Sequence, residues 1–143
     1  MRALSLSQPW ASVVVYGPKR IENRPVQLAT AARRLIGDVI ALHAAKSWDA
    51  DAVPFIQSAA PAYAPPDHAR GAMIGSARIV DVATIEWWRD SGKLVADQER
   101  WAFGPLCILL EDVRPLHRPV PCRGMLGFWT VPAAIERAMW SVS

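Results

Sequence analysis

The sequence predicts a small α+β domain, a β-barrel flanked by short helices. Three observations carry that expectation. Short runs of alternating apolar and polar residues recur along the chain, separated by Gly and Pro. Helical signals are confined to a few brief segments. At 143 residues the chain is long enough for one real core, and residues 1–143 are read as a single domain.

The elements follow in order. Arg2–Ser7 alternates as a first strand. Ser7 stands where an N-cap belongs and Pro9 suits a first helical turn, so Trp10–Tyr16 is predicted as a short apolar helix. Gly17-Pro18 ends it, because Gly tolerates the left-handed conformation and Pro cannot continue a helix. Arg20–Arg24 and Asp38–Ala44 are the second and third strands. Ser47–Gln57 carries a weaker helical pattern, and the Ala- and Pro-rich Ser58–Arg70 is a loop. Gly71–Ala83 is the clearest central strand, followed by a helical turn over Ile85–Ser91. Trp101–Leu116 reads as a strand broken at Gly104-Pro105, which places the break at an edge or bulge. Pro119–Gly127 turns the chain, Phe128–Val131 is a closing strand, and Pro132–Trp140 is a final helix.

Composition narrows the function classes. An apolar fraction of 52% is too high for a disordered chain. No apolar run approaches the roughly 18 residues that span a bilayer, so no membrane partner is expected. Met1-Arg2 leads directly into the first strand without a leader-like apolar segment, and a cytoplasmic location is the expectation. Cys107 lies in an apolar run, Cys122 lies in a Pro-rich turn, and His43, His68 and His117 are scattered. That pattern predicts no metal site, and no cofactor motif is present.

The net charge of +3 is unevenly spread. Residues 1–46 carry seven basic and two acidic groups, residues 47–113 five and ten, and residues 114–143 four and one. If the basic ends meet in the fold, they form a face that attracts phosphates, Arg33 and Arg34 included.

The sharpest segment is Ser7-Gln8-Pro9-Trp10 followed by Gly17-Pro18-Lys19-Arg20-Ile21-Glu22-Asn23-Arg24. Glu22 and Arg24 share a strand face. Lys19 joins them only if the chain turns near Gly17-Pro18. The chain has thirteen arginines and three lysines, so Lys19, Lys46 and Lys93 are exceptions among its cations. A lysine offers a compact ammonium whose protonation responds to burial, which arginine does not. His43-Ala44-Ala45-Lys46 ends the third strand, where small residues permit close approach of a ligand. Trp10 and Trp101 are the rings placed to stack on a base.

Leu-Ser-Leu-x-Gln-Pro-Trp-Ala over residues 4–11, Gly17-x-Lys19-x-x-Glu22-x-Arg24, His43-Ala44-Ala45-Lys46 and Gly124-x-x-Gly127-Phe128-Trp129 together resemble the ASCH domain family. The resemblance runs over almost the whole chain. It implies a PUA-like β-barrel whose relatives bind RNA or DNA and often read a single, sometimes modified, base. Some ASCH proteins remove acyl groups from the exocyclic nitrogen of cytidine, and a ribonuclease activity belongs to others. The small amidohydrolases of the family use a lysine at the position of Lys19, a threonine where this chain has Glu22, and a glutamate from a later segment. Here the threonine is absent, and Glu86 and Glu99 are candidates for the later glutamate.

The resemblance therefore implies hydrolysis of an N4-acylated cytidine, with Lys19 and Glu22 catalytic. Glu22 would take a proton from water while Lys19 stabilises the oxyanion. Gln8, Pro9, Trp10, Arg24, His43, Lys46 and Trp101 are the expected substrate-binding residues. The alternatives are a non-catalytic RNA- or DNA-binding module, and a ribonuclease using Lys19 or His43 with Glu22. The expected partner is a modified nucleoside or nucleobase, with RNA or single-stranded nucleic acid as the polymeric form.

Overall fold

The computed structural model describes residues 1–66 and 68–141; Asp67, inside the predicted 58–70 loop, and the last two residues of the chain lie outside them. Its strands are β1 (Arg2–Gln8), β2 (Ile21–Arg24), β3 (Val39–Trp48), β4 (Ala72–Thr84), β5 (Leu106–Pro121) and β6 (Phe128–Thr130). Its helices are α1 (Trp10–Val15), α2 (Ala29–Arg34), α3 (Ala52–Ala59), α4 (Ile85–Ser91) and α5 (Ala133–Met139). The strands form one mixed sheet in the order β2-β5-β4-β3-β1-β6, with only β1 and β3 parallel. No helix among the described residues is long and apolar enough to cross a membrane.

The predicted α+β class holds, but the sheet does not close. Among the described residues no ladder joins edge strand β2 to edge strand β6. Both edges are short, four and three residues, which leaves few backbone groups to pair across a seam. The sheet is nevertheless strongly bent. Register shifts interrupt β1 against β3 after Leu6, β3 against β4 after Leu42, and β4 against β5 in three places. Each such irregularity adds local twist and bends its strand. The bend brings β2 round towards β1, although three strands separate them in the sheet. Arg24 Nη2, on β2, donates to the carbonyl oxygen of Ser5, on β1, at 2.6 Å. A side chain thus bridges a seam that no backbone ladder spans.

The main core joins sheet residues such as Leu4, Leu42, Ile79 and Ile108 to Val14 and Val15 of α1 and Ala32 of α2. Each such fully buried aliphatic side chain contributes about 1.5–3 kcal/mol relative to exposure. A second cluster packs Trp88 and Trp101 with Ile21, Ile56 and Cys107.

Three segments depart from expectation. β5 runs to Pro121, through Pro115 and Pro119, rather than ending at Leu116. Its ladder with β2 covers only Leu106–Leu109, so prolines further along remove no bond from that side. The predicted strand over Trp101–Pro105 is instead the end of a 3-10 helix, Ala96–Trp101, and a turn. Gly104 in that turn has φ +74°, and a Cβ there would lie 2.7 Å from Ile85 Cγ2, so the turn needs glycine twice over. Finally α2 was not predicted. Its Ala- and Arg-rich sequence favours helix, but with only Ala32 buried it shows little apolar periodicity.

Candidate functional site

The seam between β1 and β2 holds a cavity of about 490 Å³ lined by Ser5, Ser7, Trp10, Lys19, Glu22, Asn23, Arg24, Phe103, Met125 and Leu126, among others. Its floor is an ion triad. The chain turns after α1 so that Lys19 lies beside the start of β2, as the Gly17-Pro18 signal suggested. Lys19 Nζ donates to Glu22 Oε1 at 3.1 Å and also to the carbonyl oxygen of Ile21. Arg24 Nε donates to the other carboxylate oxygen, Glu22 Oε2, at 2.9 Å. Lys19 is only 2% exposed and Glu22 7%.

Burial by itself pushes the Glu22 carboxyl towards protonation. The charges of Lys19 and Arg24 and their hydrogen bonds outweigh it, leaving the pKa below the ordinary carboxylate value. Glu22 is therefore held ionised, with one donor on each oxygen. An ammonium has three N–H groups and Lys19 spends two on protein acceptors, so one remains for a ligand.

The Gln8-Pro9-Trp10 motif divides its labour. Gln8 is fully buried and does not line the cleft. Its Oε1 accepts from Ser12 N at 3.0 Å, and its Nε2 donates to the Ala69 carbonyl at 2.8 Å. It thus satisfies an orphan amide of the first turn of α1, the role expected of Ser7. Ser7 makes no cap bond and lines the cleft instead. Pro9 borders a separate, mainly apolar cavity with Trp48 and Tyr63. Trp10 forms a wall of the cleft. Its Nε1 donates to Asp49 Oδ2 at 2.9 Å, its ring packs on Phe55 and Phe103, and Lys19 Nζ lies 5.5 Å from its centroid.

Several expected binding residues lie elsewhere. Trp101 is fully buried against Phe55 and lines no part of the cleft, so it stacks on core residues and not on a base. Glu86 and Glu99 are exposed and outside the cleft, with Glu99 paired to Arg89 at 3.4 Å. Neither supplies a second carboxylate, and among the described residues Glu22 is the only carboxylate lining the cleft. Arg33 and Arg34 close α2, which packs beside β4, and they too lie outside the cleft.

His43 and Lys46 line a second cavity of about 720 Å³, adjoining the first through Ser5, Ala45, Met125 and Leu126. His43 is 2% exposed and uses both ring nitrogens. Nε2 lies 2.7 Å from the Cys122 carbonyl oxygen, which can only accept, so Nε2 carries a proton. Nδ1 lies 3.0 Å from Ser5 Oγ, which itself accepts from Trp129 Nε1. In the neutral imidazole Nδ1 is then the acceptor, and the Ser5 hydroxyl donates to it. Burial lowers the His43 pKa, against the opposing effect of its bond to Cys122. His43 anchors the 122–127 segment; it makes no proton-transfer pair with Glu22.

Sequence reasoning missed Asn23 and Phe103. Asn23 Oδ1 accepts from the backbone N–H groups of Phe103 and Gly104 at 2.8 and 2.9 Å, and Nδ2 donates to the Trp101 carbonyl. It therefore holds the turn that presents Phe103, half exposed, beside Trp10. The available signal was its place in the charged segment opposite a Gly-Pro break, but that pairing required the β2–β5 register. Met125 and Leu126 form an exposed apolar ridge, Leu126 being 98% exposed.

The bent mixed sheet, its short helices and the charged seam cleft make a small α+β module, consistent with the PUA-like fold. The ASCH domain model matches residues 4–113, and the chain belongs to the ASCH domain family. None of the curated proteins with which the chain was compared matches it. Among solved structures it is similar to ASCH from Zymomonas mobilis, at 18% identity and a TM-score of 0.54, covering 99% of this chain and 94% of that one. A serine-to-alanine variant of the Zymomonas mobilis protein gives 17% identity and a TM-score of 0.52, covering 96% of this chain and 92% of that one. A tyrosine-to-phenylalanine variant gives 17% and 0.55, covering 99% and 96%. At these identities the likeness speaks for the fold.

Proposed function

We propose that the seam cleft recognises a single nucleobase of the cytosine type, including cytosine modified at N4. The observation that carries this reading is the convergence of Lys19, Glu22 and Arg24 in one cleft walled by Trp10, with Lys19 Nζ 5.5 Å from the ring centroid. A carboxylate flanked by two cations offers an acceptor beside donors. The Watson–Crick edge of cytosine offers the complement, an N4–H donor beside the N3 and O2 acceptors. Trp10 and Phe103 supply apolar faces for the ring. The choice of cytosine over other bases with mixed edges rests on the family resemblance.

Binding is favoured over hydrolysis by the state of Glu22. A carboxylate with a lowered pKa and a donor on each oxygen is a weak base, and among the described residues no second carboxylate lines the cleft. Hydrolysis of an N4-acylcytidine is the second reading, favoured by a nearly buried ammonium 3.1 Å from that carboxylate. In it, water adds to the acyl carbon as Glu22 accepts its proton, and Lys19 holds the oxyanion. The C–N4 bond then breaks as the proton passes to N4, giving cytidine and a carboxylic acid.

Calorimetry with cytidine, N4-acetylcytidine and uridine, and chromatography of the acetylated sample, test both. The two cytidines are expected to bind at least about tenfold more tightly than uridine, which presents an acceptor where Glu22 needs a donor. Equal affinity for all three, or none, overturns the base-recognition reading. Turnover of N4-acetylcytidine that disappears in both Lys19→Met and Glu22→Gln would establish the hydrolase instead.

A further inference from the structure

We propose that the second cavity is a phosphate subsite built from Lys46 and Arg123, so that the ligand spanning the two cavities is a nucleotide and not a free nucleoside. The inference rests on the base-recognition reading for the first cavity and extends it to the neighbouring part of the ligand.

The charges carry it. Lys46 and Arg123 line one cavity together with Ser5, His43, Gly71 and Gly124, and among the described residues no carboxylate is part of that lining. Both cations are exposed, and neither makes an ion pair among the described residues. Arg70 adds a third positive charge close by, its Nη1 donating to the Lys46 carbonyl at 3.4 Å. His43 contributes no charge in its neutral form, and its ring nitrogens are committed to Ser5 and Cys122. A cavity lined by two cations without an ion pair among the described residues suits an anion, and phosphate accepts from both lysine and arginine.

Position supplies the rest. The two cavities share Ser5, Ala45, Met125 and Leu126, so one ligand can reach from one into the other over the Met125–Leu126 ridge. The 122–127 segment that carries Arg123 is held in place by His43. A Cβ on Gly124 would lie 2.6 Å from His43 Cε1 and 2.8 Å from Ser5 Oγ, so the backbone sits directly on the imidazole. Arg123 is therefore set on an anchored segment beside the base cleft.

The test compares cytidine with its 3′- and 5′-monophosphates and with a dinucleotide containing one internal phosphodiester, by calorimetry at low salt. Ribose 5-phosphate serves as a base-free probe. For the intact protein at least one phosphorylated ligand is expected to bind about tenfold or more tighter than cytidine. That advantage should shrink as salt rises and vanish in Lys46→Ala/Arg123→Ala, while cytidine affinity stays within about twofold. Lys46→Arg should retain most of it. A preference for the dinucleotide alone assigns the subsite to a polymer. If ribose 5-phosphate binds in a Lys46- and Arg123-dependent way but cytidine does not bind, the subsite stands and the base reading falls. If no phosphorylated ligand outbinds its neutral counterpart, or the advantage survives the double substitution, the phosphate subsite is overturned.

Discussion

The two adjoining cavities hold their cations in opposite ways. In the seam cleft, Lys19 is nearly buried and Arg24 largely so, and Glu22 contacts both. In the second cavity Lys46 and Arg123 reach solvent and, among the described residues, share the lining with no carboxylate. The difference follows from desolvation. A cation taken out of water requires a counter-charge within hydrogen-bond distance, whereas an exposed one is already stabilised by water. The triad is consequently fixed in geometry, with Glu22 held ionised, while the exposed pair stays in contact with solvent. On the reading proposed above, one cavity takes the edge of a ring and its neighbour the charge of the same ligand.

The largest expected effect breaks the triad. Glu22→Ala leaves Lys19 and Arg24 without their counter-charge, and should lower unfolding stability by about 3–5 kcal/mol in chemical denaturation. Lys46→Ala, in the other cavity, should stay within about 0.5 kcal/mol of the unaltered protein. A cost below about 1 kcal/mol for Glu22→Ala would mean that the triad behaves as a solvated surface cluster.

A smaller effect separates the two tryptophans. Trp10→Ala removes the wall beside Lys19 and should weaken nucleoside binding by about 1–3 kcal/mol, read by calorimetry. Trp101→Phe alters only the buried cluster and should leave that affinity unchanged. A loss of affinity in Trp101→Phe equal to that of Trp10→Ala would remove the distinction.

The smallest effect lies in pH dependence. Both His43 and Glu22 have lowered pKa values in the folded protein, so each favours its deprotonated form on folding. Each contribution is present above the group's unfolded pKa and is lost as pH falls through the folded value. Because histidine titrates higher than glutamate, acidification should weaken the His43 anchor first and the triad second. Stability measured against pH should lose its upper step in His43→Gln and its lower step in Glu22→Gln. If His43→Gln leaves the profile above the carboxylate range unchanged, the neutral imidazole is not what holds the 122–127 segment.

Much of the fold was legible because its signals are local. The Gly17-Pro18 stop, the alternation in Arg2–Ser7 and the helical turn over Ile85–Ser91 each depend on a few neighbouring residues, and all appear close to their expected bounds. The extension of β5 past Leu116 was not, because Pro119 argues for a turn until one knows which edge of the strand lacks a partner. In the site, Lys19, Glu22 and Arg24 were legible from spacing plus one turn. Gln8 and Trp101 looked like ligand residues in the sequence, yet they serve the helix start and the core. Residue type alone does not say which side of a packed layer a side chain will occupy.

By itself the sequence determined the α+β class, the turn that carries Lys19 towards Glu22, and the shared face of Glu22 and Arg24, since these follow from backbone preference and side-chain alternation within a few residues. Only the tertiary structure decided that the sheet stays open, that its seam becomes the cleft, and that Phe103 and the 122–127 ridge border it. Those outcomes depend on register shifts between strands far apart in the chain, where one displaced residue changes which groups meet.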